Sequence, residues 1–492
     1  MLYLLLNSFI KYLEKTFNKP APKQNIEPQD DIYPETSITG LNKNAVIVIV
    51  GGGLSGSAFA RKILTLCRKT GQHPKVYLVN SSGCNYCGGL ITDLARETMI
   101  NLFDLHTPHD VILNNVSECI FINKEGNTQV NLNIPMLTTL RTSRFGITGF
   151  DDSLKSRILE GIEDMEPCFN IIEPTLVRQI IPLTEPGKQY PDNEPKWKVV
   201  LSLKKNDGSY EELDAHVLVL ATGFRSLGKP MLQNFQALTG YIPPPLMEGS
   251  VTEVDTSTAK HNLIANRILV IDGLVEDAVI AFIPKGKNWL TLTMLGKKLT
   301  AEELDVVFDH PQVKKYLDLP QPSKHLRCRT ICPAKLFIGF AQNFYGDGWV
   351  MLGDLTGYGR VLKDGVYASF LHAHLAAEAI CHHGASKEAF ARFYHQPLQE
   401  FKWDNQIGML LFRINTQLNR RSWFNKLFIT AAETELEKDS QGAAMQAGIR
   451  GLMTGRIPYR LIGVFFVMGL MYFIVRHPLR TLRTFLGQLR GN

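Results

Sequence analysis

The sequence is poor in cysteine and lacks the marks of several protein classes. Its eight cysteines are scattered through 492 residues, which is too few for a disulfide scaffold. The N-terminal stretch MLYLLLNSFIKYLEKTF lacks the basic start and the small-residue cleavage site of a secretory signal. Glycine and proline, with 39 and 25 residues, are at ordinary globular levels, and no repeat of about 20–50 residues is present. These absences exclude collagen-like, disordered and solenoid proteins and predict a globular chain in a reducing compartment.

Acidic residues and lysine are absent after Asp439. The whole chain carries a formal net charge of +6, and the residues after Asp439 hold seven arginines, so the first 439 residues sum to −1. This distribution excludes a diffuse nucleic-acid-binding surface and predicts a local anionic partner for the C-terminal segment. The arginines are Arg450, Arg456, Arg460, Arg476, Arg480, Arg483 and Arg490.

The C-terminal segment combines these arginines with one uncharged apolar run. Residues 461–475, LIGVFFVMGLMYFIV, would extend about 22 Å as a helix, short of the roughly 30 Å hydrocarbon core of a bilayer. Arginines flank the run on both sides, whereas a spanning helix usually has a positive bias on one side. We predict that residues 461–492 insert into one leaflet on the cytoplasmic side of a membrane that carries anionic lipids. A short transmembrane anchor and a buried core helix remain alternatives.

The N-terminal residues precede the first folded segment. Residues 1–18 place leucine and phenylalanine at helical spacing, which predicts an amphipathic helix that packs on the protein's own core or lies on a membrane. Residues 19–44 are polar and contain four prolines, so we predict a flexible linker there.

A strand, a helix and a second strand follow the linker. The run AVIVIV (45–50) is typical of a parallel strand covered on both faces. Residues 57–70 favour a helix, and KVYLVN (75–80) predicts the second strand. Together they predict a βαβ unit.

The turn between the first strand and the helix has the G-x-G-x-x-G pattern of dinucleotide-binding folds. Gly51 would permit the tight turn, Gly53 would let the backbone approach a pyrophosphate, and Gly56 would allow close helix packing. The free N–H groups at the start of the helix and the helix dipole would hold the phosphates, so Leu54 and Ser55 are predicted contacts.

The residue that ends the second strand departs from the usual pattern. Dinucleotide-binding folds normally place Asp or Glu there to bond the ribose hydroxyls. This chain has Asn80, whose side chain accepts such a bond without charge assistance. We therefore predict that Asn80 contacts the adenosine half of the cofactor.

Two later strands favour FAD over a nicotinamide cofactor. HVLVLATGF (216–224) and WVMLGDLTG (349–357) resemble motifs of FAD-dependent oxidoreductases, in which an acidic residue bonds the ribityl chain and the next helix points its N-terminus at the flavin. The chain has no second G-x-G-x-x-G, which argues against a built-in nicotinamide-binding domain. The predicted contacts from these strands are Thr222, Gly223, Gly353 and Asp354.

With these motifs, residues 45–460 resemble the geranylgeranyl reductase branch of the FAD hydroxylase-like superfamily. Cys87-Gly88-Gly89 is similar to the family's C-G-G motif beside the flavin ring. ATGFRSLGK (221–229) resembles A-D-G-x-x-S-x-x-R, and FIPKG (282–286) resembles the F-P-K-G strand of the substrate domain. The W-x-W-x-I-P signature of flavin halogenases is absent.

The resemblance implies FAD as the cofactor and a hydrophobic, lipid-like substrate. It implies that Cys87 is a catalytic residue in the flavin pocket, and that a helix beginning near residue 365 faces the flavin. The further cofactor contacts that it implies are Gly88, Gly89, Lys363, Asp364, Gly365 and Val366. The family includes saturases of isoprenoid and quinone side chains, and the superfamily also includes hydroxylases and halogenases.

Cys84 and Cys87 allow further interpretations. A C-x-x-C pair is also found in dithiols that exchange electrons with a flavin, in zinc half-sites, and as two inert thiols. A zinc site would need a second pair, and Cys328 and Cys332 have C-x-x-x-C spacing instead. We therefore predict no metal.

These observations together predict an α/β protein in which a Rossmann-type FAD-binding domain is interleaved with a mixed-sheet substrate domain, with a C-terminal helical membrane-associating tail. The predicted function is reduction of C=C bonds in an isoprenoid or quinone side chain, with an electron donor that is not identified. A flavin monooxygenase or quinone reductase acting on a hydrophobic ring, and a non-catalytic flavin-fold membrane adaptor, are the competing hypotheses. The predicted segments are 45–100, 161–230 and 336–385 for the FAD domain, 101–160 and 231–335 for the substrate domain, 386–460 for a helical region, and 461–492 for the tail.

Overall fold

The computed structural model describes most of the chain from residue 44 onward. The predicted N-terminal helix (1–18), nearly all of the linker (19–44) and Lys363 lie outside the described residues. The described residues are 41, 44–81, 83–85, 87–132, 136–144, 146–183, 194–205, 207–361, 364–436 and 444–489, with backbone only for 485–489.

A six-stranded sheet carries the glycine-rich turn. Its strands are β1 (Val46–Val50), β2 (Lys75–Val79), β8 (Phe169–Ile172), β12 (Val217–Leu220), β20 (Tyr345–Gly346) and β21 (Trp349–Met351). The order is β20–β21–β12–β1–β2–β8, and all neighbours are parallel except β20 and β21. Ile47, Val48 and Ile49 are fully buried, as expected of a central strand covered on both faces.

A seven-stranded, mostly antiparallel sheet forms the second large layer. Its strands are β5 (Glu118–Asn123), β6 (Gly126–Asn131), β13 (Leu246–Asp255), β15 (Arg267–Asp272), β16 (Val279–Lys285), β17 (Trp289–Leu295) and β19 (Cys332–Phe337). The order is β19–β13–β17–β16–β15–β5–β6, in which only β15 and β5 are parallel.

Three smaller sheets complete the strands. The sheet β3–β7–β4 lies against β16 and joins the two large layers. The ranges are β3 (Leu90–Thr92), β4 (Ile112–Val116), β7 (Leu137–Leu140), β9 (Val177–Pro182), β10 (Trp197–Lys204), β11 (Tyr210–Ala215), β14 (His261–Asn262) and β18 (Leu317–Asp318).

Seven helices belong to the α/β body in the described part of the chain. They are α1 (Leu54–Thr70), α2 (Asp93–Phe103), α3 (Phe150–Ser156), α4 (Pro230–Thr239), α5 (Ala301–Asp309), α6 (Pro311–Lys314) and α7 (Gly365–His383). α1 and α7 pack against each other beside the six-stranded sheet. α5 and α6 are divided at His310, which is extended because a following proline disfavours helical backbone.

The chain beyond residue 386 is helical within the described residues, as its pattern predicts. Short helical segments, one of them π-helical, precede five longer helices. By length and composition alone, the helix Tyr459–Arg476 is the one described helix that is long and apolar enough to cross a membrane. The segments are Lys387–Ala389, Phe390–His395, Gln396–Leu398, α8 (Glu400–Leu418), α9 (Ser422–Leu436), α10 (Ala444–Thr454), α11 (Tyr459–Arg476) and α12 (Pro478–Leu489).

Candidate functional site

The turn between β1 and α1 depends on close backbone contacts. Gly51 has φ +109°, and a Cβ there would lie 2.5 Å from the Ala221 carbonyl oxygen. A Cβ at Gly56 would overlap the Gly51 carbonyl oxygen. A Cβ at Gly53 would meet nothing within 4 Å, so this residue borders open space. The packing therefore demands two of the predicted glycines, and the third leaves room for a ligand.

The N-terminus of α1 faces this open space without a protein cap. Gly53 is the N-cap residue, no side chain among the described residues caps the helix, and the first turn contains no acidic residue. The first turn begins at Leu54 and Ser55, where helix amides lack intrahelical partners and the helix dipole is positive. These features fit the pyrophosphate of a dinucleotide.

Asn80 bonds the protein on both sides of its amide. Its oxygen accepts a hydrogen bond from the Gly52 amide at 2.9 Å, and its nitrogen donates to Glu173 at 2.7 Å. Lys155 also donates to Glu173, at 2.6 Å. Asn80 thus holds the glycine turn, and its predicted ribose contact stays a prediction. Sequence reasoning missed Glu173, because this acid reaches Asn80 only when β8 pairs with β2.

Asp354 lies at the carboxyl edge of the six-stranded sheet, between two predicted glycines. A Cβ at Gly223 or at Gly365 would be 3.9 Å from one of its carboxylate oxygens. Burial raises the pKa of Asp354 to about 6, and no donor among the described residues bonds the carboxylate. A ligand with hydroxyl groups would supply the missing donors, so Asp354 fits the predicted ribityl contact.

Gly353 brings the first and last cofactor motifs into contact. It has φ +62°, and a Cβ there would overlap the Ser55 hydroxyl oxygen. Its amide donates to Nδ1 of His372 at 3.0 Å. Burial lowers the pKa of His372 to about 4, so the ring is neutral at pH 7 and accepts this bond. His372 is a positioning residue that no sequence motif indicated.

The segment that starts at Ala221 contacts both the glycine turn and the loop before β3. The Thr222 hydroxyl pairs with the Ser226 hydroxyl at 2.7 Å, and Gly223 has φ +62°. Arg225 donates to the Cys84 carbonyl oxygen at 2.8 Å. Thr222, which stands where the family has Asp, is therefore bonded within its own turn.

The N-terminus of α7 also lacks a side-chain cap. Asp364 occupies the N-cap position with φ +64°, and its carboxylate accepts a hydrogen bond from the Thr92 hydroxyl at 3.1 Å. The exposed Gly365 and the buried Val366 begin the helix. Within the described residues, the positive end of α7 thus lacks a side-chain cap, and its first residue is exposed.

The loop Cys87-Gly88-Gly89 is held from beneath by a buried lysine. Lys285 of β16 donates to the carbonyl oxygens of Gly89 and Leu140, at 2.9 and 2.5 Å. Gly89 has φ +63°, and a Cβ there would overlap the Lys285 nitrogen, so no larger residue fits at this position. Gly88 packs on the same sheet, since a Cβ there would lie 3.2 Å from Ile283.

Burial shifts the titration of both ionisable side chains at this loop. It raises the pKa of the Cys87 thiol and lowers that of Lys285 to about 7. The Gly89 amide donates to the Cys87 sulfur at 3.3 Å. Cys87 is therefore a protonated thiol at neutral pH.

One pocket connects these elements. It is bordered by the start of α1, the start of α7 and the C-G-G loop. The thiol of Cys87 and the carboxyl group of Asp151 belong to residues that also line it. Its apolar lining residues are Leu54, Leu90, Leu140, Phe150 and Val366.

An ion-paired group lies beside the pocket and was not assigned by sequence. Arg144 pairs with Glu253 at 3.3 Å, and Arg327 pairs with the same carboxylate at 3.0 Å. Arg144 also donates to the carbonyl oxygen of Asn85, two residues before Cys87. These contacts link the loop to the second sheet.

The structure also shows the state of the cysteines that could form a dithiol or a zinc site. All eight cysteines are free thiols. Within the described ranges, no group of three or more His, Cys, Asp or Glu side chains is placed to hold a metal.

The residues before α7 are tied to the C-terminal helices. Arg360 donates to the carbonyl oxygens of Gly455 and Ile457, at 2.7 and 2.5 Å. The Tyr459 hydroxyl donates to the Val361 carbonyl oxygen at 2.6 Å, and Asn405 of α8 accepts from the Val361 amide at 3.0 Å. We call these contacts the strap, since they join the start of α11 to the loop that leads into α7.

Comparison with solved structures agrees with this architecture. A flavoprotein/dehydrogenase from Cytophaga hutchinsonii superposes with a TM-score of 0.54 at 12% identity, covering 83% of this chain and 92% of that one. The flavin-dependent brominase Bmp2 gives 0.51 at 16% identity, with 87% and 99% covered. The p-nitrophenol 4-monooxygenase PnpA from Pseudomonas putida gives 0.51 at 13%, with 84% and 98% covered. No family model and no curated protein matches the sequence.

These likenesses establish the fold. The chain has the mixed α/β fold of flavin-dependent dehydrogenases, monooxygenases and halogenases. They fit the predicted cofactor, FAD, and the predicted class of flavin oxidoreductase, but at identities of 16% or less they show the fold alone. They do not single out the geranylgeranyl reductase branch.

Proposed function

We propose that the protein is an FAD-dependent oxidoreductase that reduces C=C bonds in the isoprenoid or quinone side chain of a lipid-soluble substrate. The observation that carries the proposal is that the start of α1, the start of α7 and the buried Cys87 thiol border one pocket. Its lining is mainly apolar, which suits a hydrocarbon side chain.

The residues on the rim of the pocket suit the binding of FAD. The open space at Gly53 and the start of α1 would receive the pyrophosphate, and Asp354 would accept hydrogen bonds from the ribityl hydroxyls. The start of α7 at Gly365 would stabilise negative charge on the reduced ring. FAD supplies hydride chemistry when bound.

Cys87 is the proposed proton donor. Saturating one C=C bond takes a hydride at one carbon and a proton at the other. Cys87 lies in the pocket wall and keeps its proton at neutral pH because it is buried. Lys285 is the proposed positioning residue, because its two bonds fix the loop that carries the thiol.

An anaerobic single-turnover experiment tests this function. Protein loaded with FAD is reduced chemically, mixed with a geranylgeranyl lipid or a prenylated quinone, and analysed by mass spectrometry. We expect flavin reoxidation together with a side-chain fragment heavier by two hydrogens for each bond reduced, because reduction of a quinone ring would add its two hydrogens to the ring fragment instead. Cys87→Ser should slow product formation, and a reduced flavin that persists with all such lipids would contradict the proposal.

A flavin monooxygenase acting on a hydrophobic ring is the second candidate. A solved structure with a similar fold is a monooxygenase by name, which favours this candidate over a quinone reductase. The same experiment separates the two proposed activities, because hydroxylation begins only when oxygen is admitted. A purified protein that stays colourless after saturation with FAD would instead favour a non-catalytic membrane adaptor.

A further inference from the structure

Exposed apolar side chains concentrate on three C-terminal helices. Among the described residues, eighteen large apolar side chains are exposed, and ten of these lie on α8, α11 and α12. On α11 they form one stripe, while Ile462 and Phe473 on the opposite side are buried. Exposed apolar surface of this extent marks an interaction site. The stripe is Val464, Val467, Met471 and Val475, with Val467 62% and Val475 75% exposed.

α8 extends this surface beyond the tail that the sequence indicated. Trp403, which is 76% exposed, lies on one side of α8 with Leu410 and Ile414. That side is opposite Asn405, which bonds the body of the protein. It adjoins α11, because Leu411 lies 3.3 Å from where a Cβ of Gly463 would be. The apolar stripes of the two helices are therefore neighbours on one face.

Exposed arginines border the same face. Arg460, Arg476, Arg480 and Arg483 are exposed, and none of them pairs with an acidic side chain in the described part of the chain. Arg456 differs, because it pairs with Asp93 and Glu97 of α2. A second copy of this chain would bring like charges together, whereas an anionic lipid surface supplies both hydrocarbon and negative charge.

We infer that this lipid-docking face, formed by the exposed apolar residues of α8, α11 and α12 and the four arginines, seats in one leaflet of an anionic bilayer. Only the exposed side of α11 would enter the leaflet, because Ile462, Phe465 and Phe473 on its other sides pack against the rest of the protein. The inference rests on the proposed function and deepens it, since it would place the protein at the phase in which a lipid-soluble substrate dissolves. The test of the docking face uses neither FAD nor turnover, so the inference about the face and the proposed function can be disproved independently.

Sedimentation of the full chain with vesicles tests the face. We expect binding to phosphatidylglycerol-containing vesicles and weak binding to pure phosphatidylcholine. Val467→Glu should weaken binding roughly tenfold or more, because a charge would enter the leaflet. The matched control is Val306→Glu on α5, which is 64% exposed on another surface and should bind like the wild type.

Charge removal and Trp403 fluorescence test the remaining parts of the face. Replacing Arg476, Arg480 and Arg483 by Gln should weaken binding to anionic vesicles by about fivefold per arginine and spare neutral vesicles. Brominated lipids should quench a fluorescence component that Trp403→Phe removes. An unquenched Trp403 on bound protein would remove α8 from the face and overturn the inference.

Labelling from outside sealed vesicles separates a surface helix from a span. Arg460→Cys and Arg483→Cys, one on each side of the apolar run, should both react with an impermeant maleimide, as shown by mass spectrometry of the labelled peptides. Protection of one of them would indicate a span and overturn the inference. The inference would also be overturned if the wild-type chain did not bind vesicles and instead formed a dimer that Val467→Glu converts to monomers.

Discussion

The α/β body and the C-terminal helices differ in where they place their apolar side chains. In the body, apolar strands such as β1 are buried. At the turn between β1 and α1 the backbone is accessible, because Gly53 borders open space. In α8, α11 and α12, apolar side chains and the four arginines of the docking face point outward. The difference teaches that the first region offers backbone amides, which suit the proposed cofactor, and that the second offers apolar side chains, which suit the proposed lipid surface.

The two regions are nevertheless joined at one place. The strap connects Arg360 and Val361, which precede α7, to Gly455 and Tyr459 at the start of α11. Each of the following substitutions perturbs one of the two regions or the strap between them, and they are given from the largest expected effect to the smallest.

Gly56→Val should have the largest effect. A side chain at this position would overlap the Gly51 carbonyl oxygen, so β1 and α1 would have to separate. We expect a loss of about 3 kcal/mol of unfolding free energy, measured by denaturant titration. Gly71→Ala is the control, since it changes a positive-φ glycine in open space and should cost only about 1 kcal/mol. Similar losses in both variants would contradict the close packing at Gly56.

Gly53→Ala should affect the ligand and spare the fold. The backbone at Gly53, with φ −75°, accepts alanine, and the new methyl would point into open space. We expect thermal stability within about 0.5 kcal/mol of the wild type and FAD affinity reduced by at least about tenfold. Unchanged affinity by flavin fluorescence titration would mean that the pyrophosphate lies elsewhere.

Asp354→Asn should change how the stability of the FAD-free protein depends on pH. The folded-state pKa of Asp354 is raised to about 6 from an ordinary value of 3.8. Between these values the folded state holds the proton more tightly, so this carboxyl lowers the unfolding free energy as pH rises from about 4 to 6. The variant should match the wild type near pH 4 and exceed it at pH 7 in thermal melts. Parallel pH profiles would indicate that Asp354 ionises without penalty.

Tyr459→Phe should have the smallest effect and tests the strap. The change removes the hydrogen bond to the Val361 carbonyl oxygen, which contributes about 1 kcal/mol. We expect FAD affinity to fall severalfold while vesicle binding is retained, because the docking face is untouched. Equal FAD affinity in variant and wild type would show that the loop before α7 is held without the strap.

Much of the site could be predicted because its motifs act locally. Gly51, Gly56 and Gly353 are demanded by backbone geometry within short turns, and such demands appear directly as glycine in the sequence. The apolar runs of β1 and β12 likewise predict buried parallel strands. Lys363 and the N-terminal helix lie outside the described residues and stay predictions.

Other parts could not be predicted because they join residues far apart in the chain. Glu173 meets Asn80 through strand pairing, and Lys285 meets Gly89 across two sheets. The apolar stripe on α8 gave no clear signal, since polar residues alternate with it and only its packing beside α11 makes the two stripes one face.

The sequence by itself determined where the chain turns tightly, which strands are buried, and that positive charge gathers after Asp439, because sterics, hydrophobic periodicity and composition are local properties. Only the tertiary structure decided how that charge is used. Arg456 is neutralised by Asp93 and Glu97, while Arg476 and Arg480 stay exposed on the docking face. The reason is physical: an arginine's partner is set by what folding brings within a few ångströms, and those neighbours come from distant parts of the chain.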